Sequence, residues 1–119
     1  MSEKLQLSVP CIATRGVVVF PSMDITIEVG REKSKKAVDE AEANFDGHCL
    51  LVCQRNLQEE DPSANGLYQF GTLCRIKNIR KKDGYYRVTF SGLERAEILS
   101  FEQTNPFLFV TMLAVADQS

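Results

Sequence analysis

The chain has no apolar run approaching the ~18 residues that a membrane-spanning helix requires. Its most apolar stretch, FLFVTMLAVA over residues 107–116, is ten residues long. The amino-terminal MSEKLQLSVPCIA lacks an extended apolar core and carries Glu3 among its first residues, so it does not read as a secretory signal. Cysteines are few, and Cys11, Cys49, Cys53 and Cys74 form no CxxC. His48, Cys49 and Cys53 invite a metal reading, but HCLLVC reads as a strand. Four residues along a strand span roughly 13 Å. One ion cannot bridge that distance, and a disulfide needs Cα atoms within about 7 Å. Free, mostly buried thiols in a reducing compartment are expected, which makes the chain cytoplasmic.

Catalytic patterns are missing as well. There is no GxxxxGK[ST], hence no Walker-type nucleotide loop, and no GxSxG or HExxH. The single histidine, His48, follows Gly47 at a strand start and reads as a turn residue. Ser34 stands beside Lys35 and Lys36, but adjacent helical residues point in different directions, so no Ser-Lys pair forms there. The chain is expected to be no enzyme and to hold no metal or cofactor of its own. Its net charge of −2 argues against bulk attraction to nucleic acid or anionic membrane, leaving room for a local basic face.

What remains is the balance of one globular domain: 119 residues, 44% hydrophobic and 25% charged, enough for a core without disulfide or metal support. The core is expected over about residues 7–116, with 117–119 as a tail. The organising stretch is RGVVVFPSMDITIEVGREKS, residues 15–34. An apolar run from Val17 to Phe20 meets a corner at Phe20-Pro21. Ile25, Ile27 and Val29 then alternate with Asp24, Thr26 and Glu28, and at Gly30 the spacing turns helical,. A helix is predicted over 30–44, with Ala37, Val38, Ala41 and Phe45 as its apolar stripe and Asp46-Gly47 as its end,.

Strand patterns fill most of the rest. Leu5, Leu7, Val9 and Cys11 alternate, with Pro10 suited only to a strand edge or end,. Residues 49–54 read as a short buried strand, and 55–66 as a polar loop whose Glu59, Glu60 and Asp61 are solvated. Residues 68–80 and 85–99 form a long hairpin closed by Lys82-Asp83-Gly84, where Asp-Gly signals a tight primed turn,. In its first arm Phe70, Cys74 and Ile76 share a face, opposite Leu73 and Ile79. In its second, Tyr86, Val88 and Phe90 alternate up to Gly92, after which Leu93, Leu99 and Phe101 take the other phase. A strand that changes its buried face at a glycine is bent or bulged, which curls a short sheet. Residues 107–116 read as a closing strand, either covered on both faces or partly exposed where something else docks. The expected class is mainly β with one helix: a six-stranded, bent antiparallel sheet or pseudo-barrel.

The motifs RGVVVFP and VGREKS, then GLYQFGTLCRI and FSGLERAEI, recur in this order from about residue 7 to residue 115. Together they resemble the N-terminal domain of the Lon protease family. Its usual patterns are an R-G-apolar-apolar-apolar-F-P corner, V-G-R-x-x-S, L-Y-x-x-G-T-x-A-x-I and V-x-G-L-x-R-A-x-I. SVPCIATRG departs from the usual LP-L-LPLRG string, and Cys74 replaces a small apolar residue. The resemblance implies a PUA-like fold. It also implies a role beside an AAA+ ATPase and a Ser-Lys protease domain, in quality control: recognising unfolded or damaged proteins and aiding hexamer assembly. ATP and magnesium would belong to those other modules, whose patterns this chain lacks. The chain would be a part of such a protease or a free-standing domain of the same kind.

An unfolded-protein site needs exposed, adaptable apolar surface, for which aromatics and methionine are suited. Phe20, Pro21 and Met23 at the corner are the first candidates, and Phe107, Phe109 and Met112 on the closing strand the second. A different reading uses Arg75, Lys77, Arg80, Lys81, Lys82 and Arg87, interleaved with Tyr85 and Tyr86, to grip single-stranded RNA. Against it, basic side chains also serve simply to discourage edge pairing on the outer face of a hairpin.

Overall fold

Seven regular elements follow these patterns: β1 (Lys4–Thr14), β2 (Asp24–Val29), α1 (Glu32–Asn44), β3 (His48–Gln54), β4 (Leu67–Lys81), β5 (Tyr86–Gln103) and β6 (Leu108–Val115). A 3-10 turn over Ala64–Gly66 leads into β4. The computed structural model describes residues 4–56, 58–59 and 64–115. Glu60 and Asp61 of the polar loop, Ala116 and the tail 117–119 lie outside the described residues. No helix among the described residues is long and apolar enough to cross a membrane.

The strands lie in the order β2-β5-β4-β3-β1-β6, and β5 also pairs with β6. Five strands therefore close on themselves, and β2 hangs from β5 outside the ring. The sheet is mixed rather than purely antiparallel: β1 and β3 run parallel, from Cys11 opposite Leu50 to Thr14 opposite Cys53. Parallel neighbours need a crossover, and here β2 and α1 supply it. Pro10 lies inside β1, fully buried. It pairs with Phe109 of β6 but precedes the first residue that pairs with β3, so its missing N–H interrupts no β1–β3 bond.

Closure produces two cores. Val9, Leu50, Val52, Leu73, Val110 and Met112 are among those filling the barrel interior. Outside it, Ala37, Val38 and Ala41 of α1 pack on Ile12, Cys49, Leu51, Cys74 and Phe90. Strand β3 is thus buried on both faces. The small helix residues are fully buried, which brings α1 close to the sheet. The helix ends where Phe45 N and Gly47 N both donate to Ala41 O, at 3.1 and 2.8 Å. Asp46 and Gly47 there take positive φ of 53° and 79°.

Strand β5 changes its buried face next to Gly92, as expected. Leu93 is the extra residue between the pairs Gly92–Cys74 and Glu94–Leu73. The residues that turn inward afterwards are Ala96 and Ile98, however, while Leu93 and Leu99 face solvent. A second irregularity, at Lys77 of β4, puts Ile79 beside the same core as Ile76. Phe70 does not share the burial of Cys74 and Ile76; it is exposed. In the hairpin turn Gly84 takes a φ of 89° but Asp83 stays outside the left-handed region, so the turn is not the type I′ form, which requires both. Of the two expectations for strand β6, full cover on both faces is not met and partial exposure is. Leu108, Val110, Met112 and Ala114 are buried in the barrel, and Phe109, Thr111 and Leu113 between them are only half-buried.

Cys11, Cys49 and Cys74 are buried and Cys53 is partly accessible, all four free. Burial pushes the Cys11 and Cys74 thiols up to about 12, and Cys49 well above its ordinary range, with Cys74 adding to the effect. Since the thiolate is the reactive form, a thiol-specific chromophore at pH 8 should titrate one fast group in the folded protein and four after denaturation. Two or more fast groups in the folded state would contradict the described core.

Candidate functional site

The corner between β1 and β2 is fastened from several sides. Thr14 Oγ1 donates to Val17 O at 3.0 Å, and Thr72 Oγ1 donates to Val19 O at 2.5 Å. Ser22 N donates to Gly92 O at 2.9 Å, Gly92 N to Met23 O at 2.8 Å, and Met23 N to Phe20 O at 3.1 Å. Val19 plugs into the core beneath α1. Its neighbours therefore point the other way, leaving Val18 exposed, Phe20 61% exposed and Met23 38% exposed. Pro21 is half-buried between them. Apolar side chains held out by a bonded backbone lose little further freedom on contact with a partner.

More exposed apolar side chains stand on β4 and β5. Leu93, the bulged residue, follows Gly92 directly. On β4, Phe70 stands two residues from Thr72, on the same face, and is 57% exposed. Tyr68 carries the Arg55 guanidinium 4.8 Å from its ring centroid. Tyr68 and Leu99 also line a shallow cavity of about 310 Å³.

Sequence periodicity placed Phe70, Leu93 and Leu99 within buried phases and did not single out Val18 or Tyr68. The missed signal was length. A 13-residue helix covers about 20 Å, whereas a 15-residue strand runs to about 50 Å. One helix cannot cover the outer face of β4 and β5 from end to end.

The second candidate group is different. Phe109 packs its ring 5.5 Å from Phe45 and 6.3 Å from Phe107, and both Phe107 and Phe109 are half-buried. Met112 is completely buried in the barrel and is no surface contact, because its parity along β6 turns it inward. The structure thus separates the two groups and leaves the corner as the exposed one.

Four of the six basic residues of the hairpin, Arg75, Lys77, Lys81 and Arg87, are paired with acids. Arg75 pairs with Asp46 at 3.3 Å, Lys77 with Asp24 at 2.8 Å, Lys81 with Asp39 at 3.2 Å and Arg87 with Glu28 at 3.6 Å. Tyr86 donates to Asp39 at 3.1 Å. The Lys77 hydrogen bond, followed by that of Ser91, holds the Asp24 carboxyl below its usual range. Such exposed pairs add little stability, but they offset the positive charge that a phosphate backbone would need.

Ring closure, covering helix and fastened corner together define a small β-barrel domain with one exposed apolar side. Residues 8–118 match the family described as the ATP-dependent protease La (LON) substrate-binding domain, and the chain belongs to that family. It is 35% identical over 112 residues to the Lon protease of Desulforamulus reducens, covering 93% of this chain and 14% of that protein. To the Lon protease of Heliobacterium modesticaldum it is 38% identical over 112 residues, covering 91% and 14%. The chain therefore spans about one seventh of the length of these relatives. Among solved structures, the N-terminal domain of Mycobacterium avium complex Lon protease superposes with a TM-score of 0.72 at 23% identity, over 95% of this chain and 57% of that one. A Lon N-terminal domain protein from Xanthomonas campestris gives 0.67 at 15% identity, over 93% and 60%. At these identities the two structures speak for the fold.

Proposed function

We propose that this domain recognises unfolded or damaged polypeptide for an ATP-dependent Lon-type protease, using the apolar corner as its contact surface. The observation that carries the reading is the exposure of Phe20 and Met23 on a backbone fastened to β4 and β5. A surface that accepts many sequences needs polarizable, adaptable side chains, and the corner offers phenylalanine and methionine. The chain supplies binding rather than catalysis. The ATP, magnesium and Ser-Lys chemistry of a Lon protease, its hexameric assembly and its cytoplasmic setting complete the proposal.

Binding through apolar contact predicts weak salt dependence and a large effect of polar substitution. Phe20→Ser together with Met23→Ser should weaken binding of a fluorescent, reduced and carboxymethylated protein by about tenfold or more. The melting temperature should barely move, because neither side chain fills the core. Unchanged binding in the folded double variant would remove the corner from the site. A steep fall in affinity with salt would point instead to the basic hairpin.

A further inference from the structure

Among the described residues, strand β2 is the outermost strand of the sheet and pairs only with β5. Gly92 N donates to Met23 O. Carrying that ladder along the register, with Ile25 opposite Phe90 and Ile27 opposite Val88, makes Ile25, Ile27 and Val29 the residues that exchange bonds with β5. The N–H and C=O groups of Asp24, Thr26 and Glu28 therefore point away from the sheet. The 2.9 Å approach of the Thr26 and Thr89 hydroxyls agrees, since opposed side chains come closest at pairs that do not exchange bonds. Apart from the ladder to β5, no main-chain bond among the described residues reaches residues 24–29.

Native edges are usually blunted by proline or by outward charge. Strand β2 has no proline, and its acids Asp24 and Glu28 are turned to Lys77 and Arg87. Beyond the C-terminal part of the edge lies a groove of about 390 Å³, with Ile27 to Gly30 on one wall and Ile12 to Arg15 on the other.

We propose that an extended segment of unfolded polypeptide adds to the free edge of β2 as a further strand, with its part beside residues 27–29 lying in this groove. The inference rests on the proposed function and names the form in which the substrate is held. A single chain fits this edge and a second folded copy does not, because an edge strand from another sheet brings that sheet into the wall formed by residues 12–15. The corner adjoins the edge: Met23 directly precedes β2, so a segment paired with β2 runs on toward Met23 and Phe20. Main-chain pairing is indifferent to side-chain identity, and the apolar corner is indifferent to exact shape. The preferred substrate is thus an extended, proline-poor stretch of alternating apolar residues.

The test compares a short fluorescein-labelled peptide alternating valine and threonine with the same peptide N-methylated at alternate amides. The plain peptide should bind, and N-methylation of the bonding amides should weaken binding by tenfold or more. Thr26→Pro, which removes an outward N–H and spares the β5 ladder, should weaken it about fivefold, whereas Thr26→Val should leave it unchanged. Amide exchange at Asp24, Thr26 and Glu28 should slow when the peptide is bound. Equal affinity for the plain and methylated peptides, or no binding of either, overturns the proposal even if Thr26→Pro fails to fold. Loss of binding in the Phe20→Ser, Met23→Ser variant together with equal affinity for both peptides would leave the corner standing and remove the strand addition. Sensitivity to methylation with no effect of the corner variant would do the reverse.

Discussion

Phe90→Ala is expected to destabilise the domain by about 4 kcal/mol, read as a lowered midpoint in urea unfolding with an unchanged slope. Phe90 is fully buried. It lies on β5 between its cross-strand partners Ile25 of β2 and Ile76 of β4, in the core that α1 covers. Truncation removes the largest fully buried side chain and leaves a cavity that three elements would have to collapse to fill. The same truncation at Phe20, which is mostly exposed, should cost under about 0.5 kcal/mol. Comparable losses at the two positions would mean that the corner is packed inward and its role in binding misassigned.

Gly92→Ala should cost about 3 kcal/mol. A Cβ at this position would stand 2.3 Å from the Phe20 carbonyl oxygen and 3.2 Å from Val19, so the backbone of either β5 or the corner has to move. The two hydrogen bonds that tie Ser22 and Met23 to Gly92 make the corner the element that yields. Binding of unfolded protein should therefore fall along with stability. Gly71→Ala offers the comparison, since its Cβ would stand 2.4 Å from the Leu51 carbonyl oxygen, inside the β3–β4 pair. It should destabilise similarly while sparing the affinity of the molecules that remain folded. Gly30, with nothing within 4 Å of an added Cβ, should accept alanine with little effect. Full stability in Gly92→Ala would mean that the corner does not rest on β5.

The strands and the helix were legible because period-two and helical spacing are written in consecutive residues. Even the bulge near Gly92 could be read from a change of phase. Pairing direction could not. Whether β1 lies beside β3 depends on how the chain crosses over, and the alternation of Val9, Cys11 and Ala13 is the same in either orientation. Strand β6 defeated periodicity for another reason. Both parities of FLFVTMLA are apolar, so nothing local distinguishes the inward Met112 from the half-buried Phe109. The corner was legible because Pro21 ends the apolar run, and residues beside such a turn have fewer neighbours to bury them. Phe70 and Leu99 required knowing how far one helix reaches, which is a property of the assembled sheet. The family was legible through four short motifs in order, each of which is largely core and turn.

Strand β1 is held on one side by β6, and the hydroxyls of Ser8 and Thr111 meet at 3.0 Å across 103 positions of sequence. The first described strand of this domain is thus paired with the last. Until β6 pairs with them, the β1 and β5 edges of the barrel stand unfilled, and interior residues such as Val9 and Ile98 lack their β6 neighbours. Without β6 in place, the domain would present apolar surface of the kind it is proposed to hold in other chains,.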